Sequence, residues 1–244
     1  MQIKDLIEGT FLERPNRFTV VFKSNKPQLM IESAHLRDPG RLKELLYPGA
    51  RLLLRKATTN PKRKTKFDVI AVFKDNLWVL INSGFHSDLA QELIESKMVS
   101  ELEGYEVEKR EFTLGKSRLD FLLRPLENSI TQSLKMLVEV KGCTLVEDGL
   151  ARFPDAPTVR GKKHVEELIS AKSQGYESSV LFLVLKEDAR LFSPNYDTDP
   201  DFSRVLEESS SKNVNLIPFV FKTSLNNDIL SIIPLTKIKV EFKD

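Results

Sequence analysis

Two acids and a lysine, carried by two apolar segments, are the residues whose types and spacing could do chemistry. Glu139, Val140 and Lys141 directly follow the apolar run Met-Leu-Val, which has the character of a buried strand. Because strand side chains alternate between faces, Glu139 and Lys141 point to the same side. A second apolar segment, residues 119–123, carries Asp120 in its interior. An unpartnered carboxylate is costly to bury, so we expect Asp120 and Glu139 to converge on a cation, with Lys141 beside them.

The cation that suits this set is Mg²⁺, or Mn²⁺ in its place. Mg²⁺ prefers oxygen ligands and usually takes only one or two protein carboxylates. Asp120 and Glu139 supply that number, and the carbonyl of Val140 could add a third oxygen. Lys141 could orient an attacking water or stabilise developing negative charge, and a lowered pKa near a metal would let it act as a base. The residues therefore predict metal-dependent cleavage of phosphodiesters.

Length and composition suit one large domain or two smaller ones. The chain has 244 residues, of which 41% are hydrophobic, and no apolar run approaches the 18 residues of a membrane span. The first residues lack the apolar stretch of a signal peptide. Cys143 is the one cysteine, which excludes an intrachain disulfide and suits a reducing compartment. We therefore expect a cytoplasmic protein with no membrane partner.

Charge is distributed unevenly along the chain. Residues 1–82 contain 16 Lys and Arg against 8 Asp and Glu, whereas the remaining residues contain 21 against 27. A basic first third and an acidic remainder favour polyanion binding in the first part and cation-dependent chemistry in the second. Ordinary variation of surface charge is the alternative interpretation.

The first 82 residues have strand signals with a short helix, residues 41–46, between the third and fourth strands. That order is typical of an OB-fold-like β-barrel, in which the loop between the fourth and fifth strands often contacts nucleic acid. The predicted nucleic-acid-binding residues in and beside this loop are Arg55, Lys62, Arg63, Lys64 and Lys66. A solvated loop without a ligand is the alternative.

Four aromatic residues of the same segment could stack on bases, although core packing would also explain most of them. They are Phe18, Phe22, Phe73 and Trp78.

Residues 83–244 alternate helical and strand patterns, which predicts a mixed sheet flanked by helices. The predicted helices are residues 88–102, 159–174 and 200–212, and residues 145–158 read as a loop. We place the domain boundary between residues 82 and 83, next to Gly84.

The chemistry-bearing residues resemble the signature of the restriction-endonuclease-like, or PD-(D/E)xK, nuclease superfamily. In that superfamily an Asp is followed at strand distance by Glu-x-Lys, as Asp120 is here. The helix before the strands often supplies another acid, for which Glu101 is the first candidate and Glu103 the second. A solvated helix face is the alternative for both. Asp155 follows Glu-x-Lys instead of preceding it, so a turn or substrate-side role fits it better.

Longer motifs resemble the sugar fermentation stimulation protein A family (SfsA), from Asp38 to His164. They are Asp38-Pro39-Gly40-Arg41-Leu42, Ser117-Arg118-Leu119-Asp120-Phe121, Glu139-Val140-Lys141 with Thr144-Leu145, Phe153-Pro154-Asp155-Ala156-Pro157-Thr158, and Arg160-Gly161 with Lys163-His164. The resemblance implies an OB-like N-terminal domain, DNA binding and a C-terminal domain similar to PD-(D/E)xK nucleases. Val159 departs from it, because a polar residue is expected before Arg-Gly.

The same resemblance implies that Arg160, Lys163 and His164 lie at the start of the helix after the strand pair. A helix N-terminus with adjacent cations also favours anions physically. His164 could contact phosphate or carry a proton. A zinc site is disfavoured because no second histidine or cysteine accompanies it, and an ordinary capped helix remains an alternative.

These observations predict a two-domain, Mg²⁺-dependent nuclease acting on DNA or on RNA, with Asp120, Glu139 and Lys141 as its catalytic residues. The alternative is a non-catalytic DNA-binding regulator, linked through the family name to sugar metabolism genes. Neither prediction specifies the oligomeric state, and a homodimer is compatible with both.

Overall fold

The structure, a computed structural model, describes residues 1–25, 30–38, 40–57, 63–115, 117–127 and 133–243. The chain is divided into two compact units. The first contains Met1–Phe85, Leu185–Asp188 and Phe221–Leu235, and the second contains His86–Val184, Ala189–Val220 and Thr236–Asp244. Each unit therefore draws on more than one segment of the chain, whereas the predicted domains, 1–82 and 83–244, are continuous. Within the described ranges, no helix has the length and apolar character that crossing a membrane requires.

The strands and helices follow in a simple chain order. The first seven strands are β1 (Gln2–Ile3), β2 (Leu6–Asn16), β3 (Thr19–Ser24), β4 (Ile31–His35), β5 (Arg51–Lys56), β6 (Phe67–Lys74) and β7 (Leu77–Leu80), followed by a 3₁₀ turn, Ser83–Phe85. The remaining elements are α1 (His86–Glu95), β8 (Tyr105–Leu114), β9 (Ser117–Pro125), β10 (Met136–Cys143), β11 (Val146–Glu147), β12 (Leu150–Phe153), α2 (Val159–Lys172), β13 (Glu177–Val184), β14 (Leu191–Pro194), α3 (Pro200–Ser211), β15 (Asn215–Asn226), β16 (Ile229–Lys237) and β17 (Lys239–Val240).

The first unit is built on an OB-like barrel, as the strand order predicts. Its sheet has the order β4-β3-β2-β5-β6-β7, and a parallel pairing of β4 with β6 closes five strands into a barrel. Inward-facing aliphatic and aromatic side chains from these strands, such as Val20, Phe22 and Leu54, form its core. The alternation of buried and exposed residues along β3 explains why this segment forms a strand with one buried face.

The prediction of a short helix at residues 41–46 is wrong. The segment forms one turn, in which the N–H of Leu46 donates to the carbonyl of Leu42 at 2.8 Å. Leu42 has φ 49°, in the left-handed region that a right-handed α-helix cannot pass through.

The second unit contains a mixed sheet with the order β15-β13-β10-β9-β8. Strands β10, β13 and β15 are parallel, whereas β8, β9 and β10 are antiparallel. The nearly continuous apolar run Val180–Val184 is fully buried, as expected for a central parallel strand. A second sheet, β11-β12-β14-β17, lies within the same unit. The predicted mixed sheet with helices is therefore confirmed.

Two sequence-based interpretations of this unit differ from the structure. The helix expected at residues 88–102 is α1, which ends at Glu95, and the residues after it form turns in which Lys97 has φ 58°. The loop expected at residues 145–158 contains the short strands β11 and β12. Strands of two and four residues are too short to show a periodic pattern.

Asp199 forms hydrogen bonds at the N-termini of two helices. As the N-cap of α3 it accepts a hydrogen bond from the N–H of Phe202 at 3.0 Å. Its other oxygen accepts from the N–H of Thr158 at 2.7 Å, and Thr158 is itself the N-cap of α2, accepting from the N–H of Gly161. One carboxylate therefore fixes the start of α2, the helix on which His164 lies.

We predict that Asp199→Ala lowers the free energy of unfolding by about 2 kcal/mol, because it removes an N-cap and a second hydrogen bond to the backbone. Urea denaturation measures the change. Asp201→Ala is the matched control, because Asp201 lies in the first turn of α3 on its exposed surface and should cost about 0.5 kcal/mol or less. Equal losses in the two variants would contradict the capping role.

Candidate functional site

The candidate site lies where β9 and β10 stop pairing. Their antiparallel ladder runs from Met136 opposite Leu123 to Val138 opposite Phe121. Beyond it, the N–H of Val140 donates to the Oδ2 atom of Asp120 at 2.7 Å instead of to a backbone carbonyl. The Asp120 side chain therefore takes the place of a backbone partner, a role that a neutral acceptor could also fill.

The carbonyl of Val140 faces the same region. The N–H and C=O of one strand residue point toward the same neighbouring strand. Since the N–H of Val140 points to Asp120, its carbonyl oxygen also lies on the β9 side of β10, beyond the end of the ladder. The assignment of this carbonyl as a third ligand stays a prediction.

Glu139 is the centre of the site, and its two oxygens differ. The residue is 3% exposed. Its Oε1 atom accepts from the ammonium group of Lys141 and lies 2.5 Å from Nδ1 of His164. Its Oε2 atom is buried, and no hydrogen-bond donor of the described chain reaches it. One oxygen is therefore held by two cationic or polar partners, while the other is available to a ligand.

Arg160 extends this network by one more step. Its Nε–H donates to Nε2 of His164 at 3.4 Å, across one turn of α2. An accepting Nε2 leaves the proton of a neutral imidazole on Nδ1, from which it donates to Glu139. The guanidinium of Arg160 thus favours the tautomer that holds the Oε1 atom.

Burial and like charge dominate the electrostatics of the acid pair. Burial, followed by the negative charge of Glu139, raises the pKa of Asp120 to about 6. Burial would also raise the pKa of Glu139, but the hydrogen bond from His164 and the charge and hydrogen bond of Lys141 outweigh it and keep that pKa below its usual value. Glu139 is therefore the stable anion, and the charged form of Asp120 is destabilised by standing beside it.

The donor set fits a hard divalent cation better than zinc. Two carboxylates and one backbone carbonyl are the protein oxygens that Mg²⁺ commonly takes. Among the residues described by the structure, no group of three or more His, Cys, Asp or Glu side chains could hold a metal ion, as a structural zinc site would need. The unpartnered Oε2 atom of Glu139 fits such a cation, because a buried carboxylate oxygen needs a donor or a cation to offset its lost hydration.

Comparison with known proteins identifies the family. Residues 84–227 match the model of the sugar fermentation stimulation protein RE domain, and residues 12–81 match that of the SfsA N-terminal OB domain. A sugar fermentation stimulation protein homolog of Methanothermobacter thermautotrophicus is 53% identical over 243 residues, covering 99% of this chain and 96% of the relative. The chain belongs to the sugar fermentation stimulation protein family.

Other members of the family agree in sequence and in structure. The homolog of Thermosipho melanesiensis is 39% identical, with 93% of this chain and 92% of the relative covered. The solved structure of Pyrococcus furiosus SfsA, in complex with Ca²⁺, is 27% identical, covers 99% of this chain and 98% of that one, and superposes with a TM-score of 0.87. The OB-like barrel and the mixed-sheet unit therefore follow the fold of this family.

The three accessory residues predicted on α2 do not all lie near Glu139. Arg160 and His164 join the network of Glu139, whereas Lys163 lies 3.7 Å from Glu167 on its own helix. Val159, where the family resemblance predicts a polar residue, is 86% exposed at the start of α2. The structure thus brings Arg160 and His164 to Glu139 and leaves Lys163 exposed on α2.

The interpretation of Glu101 as a further acid of the site disagrees with its position. Glu101 lies in the turns after α1, bonds to Ser100 and to Lys237, and helps line a cavity with Met136. Met136 begins β10, whereas Glu139 and Lys141 lie further along that strand. Glu101 therefore sits by the opposite end of the strand.

The predicted nucleic-acid-binding residues of the first unit are also placed differently. Arg63 forms a half-buried salt bridge with Asp68 at 2.7 Å, which raises the pKa of Arg63, so a structural role explains it. The guanidinium of Arg55 lies 5.3 Å from the centre of the Phe85 ring. Lys64 and Lys66 are exposed to solvent. Lys62 lies outside the described residues.

One close contact, on the face of β10 opposite the site, is not predicted by the sequence. The imidazole of His86, at the start of α1, fills the space that a Cβ on Gly142 would occupy. Burial lowers the pKa of His86 to about 4, which keeps the ring neutral. Since Gly142 alternates with Glu139 and Lys141 along β10, this contact lies on the opposite face of the sheet. The only sequence signal is a glycine next to the candidate lysine.

We predict that His164→Ala lowers the free energy of unfolding by about 2–3 kcal/mol in a chelating buffer, because it removes a buried hydrogen bond to a carboxylate. His164→Asn should recover at least half of that loss, since the amide nitrogen of Asn occupies the place of Nδ1. Urea denaturation of both variants measures the difference. Equal losses for Ala and Asn would mean that ring volume, not the bond to Glu139, stabilises the fold.

Proposed function

We propose that this chain hydrolyses phosphodiester bonds of nucleic acid with the help of Mg²⁺ or Mn²⁺. The observation that carries the proposal is the buried, unpartnered Oε2 atom of Glu139 beside a second carboxylate, Asp120. Two further facts support it. Lys141 stands in the same network, and the structure of the Pyrococcus furiosus relative is a complex with a divalent cation, Ca²⁺.

Asp120, Glu139 and the Val140 carbonyl are the groups that would hold the cation. Bound there, Mg²⁺ would neutralise charge on the phosphoryl oxygens and lower the pKa of a bound water. In the reaction, the oxygen of a water forms a bond to phosphorus while the bond from phosphorus to the leaving sugar oxygen breaks. One proton of the attacking water passes to solvent, and the leaving oxygen takes up a proton from solvent. The products are a phosphomonoester and a hydroxyl group.

Lys141 is the residue that would act on the reacting atoms directly. Its ammonium group donates to Oε1 of Glu139, which holds the long side chain at the edge of the site. A fixed ammonium can hydrogen-bond the attacking water or a phosphoryl oxygen, where negative charge grows in the transition state. Because Glu139 anchors the lysine, the charge is already in place before the reaction begins.

His164 and Arg160 would act through Glu139. By occupying Oε1 together with Lys141, the imidazole leaves Oε2 as the oxygen that a cation can reach. Groups that orient a metal ligand in this way commonly strengthen metal binding. We assign both residues a positioning role.

The substrate class follows from the first unit. OB-folds commonly bind oligonucleotides, and the first 82 residues contain twice as many basic as acidic residues. Exposed Lys64 and Lys66 supply positive charge beside β6. DNA and RNA share the phosphodiester backbone that this charge would contact, so both are candidate substrates.

A second candidate function is nucleic-acid binding without cleavage, in a regulatory protein that keeps a nuclease-like fold. The observation that favours it is the OB-like barrel with its excess of basic residues, which would bind nucleic acid without any catalysis. Cleavage assays separate the two functions.

We predict that the purified protein cleaves DNA or RNA with Mg²⁺ or Mn²⁺ but not with chelator, and that Lys141→Ala reduces the rate about 10²–10³-fold, because the transition state loses a fixed positive charge. Gel assays with labelled single- and double-stranded substrates measure the rates. Lys135→Ala, which removes an exposed lysine paired with Glu108, should change them less than twofold. Binding of nucleic acid without metal-dependent cleavage would support the second candidate function instead.

We also predict that the effect of Asp120→Asn on stability depends on whether Mg²⁺ is present. At pH 7.5 with chelator the variant should be more stable than the wild type by about 1–3 kcal/mol, because it removes a charge that is buried beside Glu139. Mg²⁺ at 100 times its Kd should stabilise the wild type by about 2.7 kcal/mol and the variant hardly at all. Thermal unfolding with and without Mg²⁺ measures both. Asp148→Asn, at an exposed turn, is the matched control, and an unchanged Mg²⁺ effect in Asp120→Asn would contradict the ligand assignment.

A further inference from the structure

The outer face of the barrel is open along β3 and β4. On these strands the outward residues form the cross-strand pairs Thr19–His35, Val21–Ser33 and Lys23–Ile31. None of these six side chains is buried, and Ile31 is 62% exposed. By contrast, all six residues of Phe67–Val72 in β6 are buried, so that strand is covered on both faces. An open sheet face with exposed apolar side chains is a candidate binding surface.

The rings of Phe18 and His35 lie at one end of this open face. Phe18 is 48% exposed, and its ring centre lies 6.3 Å from that of His35, with 37° between the ring planes. The backbone around Phe18 is held firmly. Its N–H donates to the side chain of Asn16 at 2.9 Å, and its carbonyl accepts from the N–H of Leu36 at 2.9 Å. The backbone that carries the exposed ring is therefore fixed at the surface.

Arginines lie close in the chain to these two rings, and one of them, Arg37, passes beside Gly84. The guanidinium of Arg14 donates to the carbonyls of Arg17, Gly40 and Arg41 at 2.6–2.9 Å, which joins the turn before β3 to the segment after β4. Arg17 and Arg37 are exposed, and neither forms a salt bridge with any residue that the structure describes. The charge on these two side chains is thus available to an anion.

We propose that this surface, formed by Arg17, Phe18, His35, Arg37 and the outer face of β3 and β4, binds an unpaired nucleic-acid strand. Unstacked bases pack on Phe18, His35 and Ile31, while Arg17 and Arg37 contact phosphates. The proposal rests on the proposed function, because it names the form of nucleic acid that the barrel holds. It concerns residues other than the basic loop predicted from the sequence.

The chemistry of the surface selects an unpaired strand over a duplex. A duplex presents phosphates and groove edges and keeps its base faces stacked, so exposed aromatic and aliphatic side chains gain little from it. An unpaired strand offers base faces, and stacking on an aromatic side chain contributes about 1–3 kcal/mol per base. The nearby guanidiniums match the phosphates of the same strand. Single-stranded DNA and RNA share both features.

The experiment measures binding of the full-length protein to fluorescent oligonucleotides by anisotropy, with chelator present so that no strand is cut. The probes are a single-stranded DNA, a single-stranded RNA of the same sequence and a DNA duplex. The variants are Phe18→Ala, Phe18→Trp and the double variant Arg17→Ala/Arg37→Ala. Tyr47→Ala is the matched control, because Tyr47 is 42% exposed in the same unit and contacts Lys74 instead of this surface.

We expect Phe18→Ala to weaken single-strand binding about 5- to 150-fold, the loss of one stacked base, and to change duplex binding less than twofold. Phe18→Trp should retain binding, which separates stacking from folding. The double arginine variant should weaken single-strand binding and reduce its salt dependence by about 0.7 for each phosphate that is no longer neutralised. Comparison of the DNA and RNA probes shows which strand is preferred.

Several results would overturn the proposal. The first is that the wild type does not bind single strands. The second is that Phe18→Ala weakens binding of single strands and of duplex equally. The third is that Tyr47→Ala weakens single-strand binding as much as Phe18→Ala does. Cleavage with Mg²⁺ is measured separately. If the wild type cuts nucleic acid while Phe18→Ala binds normally, the surface assignment fails and the proposed function stands. If Phe18-dependent binding occurs without cleavage, the surface stands and the nuclease proposal fails.

Discussion

The hydrogen bond from the backbone of Val140 to the side chain of Asp120 is the constraint on which the site depends. A buried backbone N–H must find a partner, and where β9 and β10 separate no carbonyl of the described strands is there to accept it. Asp120 satisfies that donor and is thereby held next to Glu139, at a position where a carboxylate is otherwise unfavourable. A neutral acceptor could cap the same N–H with less electrostatic cost. The acid is therefore explained better by a cation than by the architecture of the sheet.

The rest of the second unit fixes the orientation of Glu139. Strand β10 is paired along its whole length with β13, whose residues Val180–Val184 are fully buried, so the strand has little freedom to move. From the other side, the start of α2 is held by Thr158 and Asp199, and this places His164 on Oε1 of the same glutamate. A rigid strand and a capped helix thus determine which oxygen of one side chain is left without a donor.

The sequence predicts the elements whose patterns are long and misses features that depend on tertiary contacts. The apolar strands of Asp120 and Glu139 and the helix of His164 are recognised because each covers at least five patterned residues. Strand β11, with two residues, has no period to detect. Glu101 is assigned to the site from the superfamily resemblance and from the expected length of a helix that ends at Glu95 instead.

Contacts between residues that are distant in sequence, or on different faces of a strand, cannot be read from composition. Arg63 belongs to a cluster of basic residues, but its neighbour in space, Asp68, neutralises it. The buried contact of His86 with Gly142 depends on how α1 packs on the sheet. Similarly, Phe18 and Phe22 have the same residue type in the same segment, yet Phe22 is fully buried and Phe18 is 48% exposed. The residue type does not show which of the two rings lies in the core, whereas the folded structure does.

The charges at the candidate site and at the barrel surface have opposite sign. In the second unit a buried carboxylate oxygen lacks a donor among the described residues, and the neighbouring acid has a raised pKa, so the pair favours a cation. In the first unit the exposed guanidiniums of Arg17 and Arg37 have no carboxylate partner within the described ranges, so they favour an anion. A nucleic-acid strand accompanied by divalent cations supplies both counter-charges. Under the proposed function the acid pair and the arginines would contact different parts of one complex, whereas a regulator that binds without cleavage would need only the arginines.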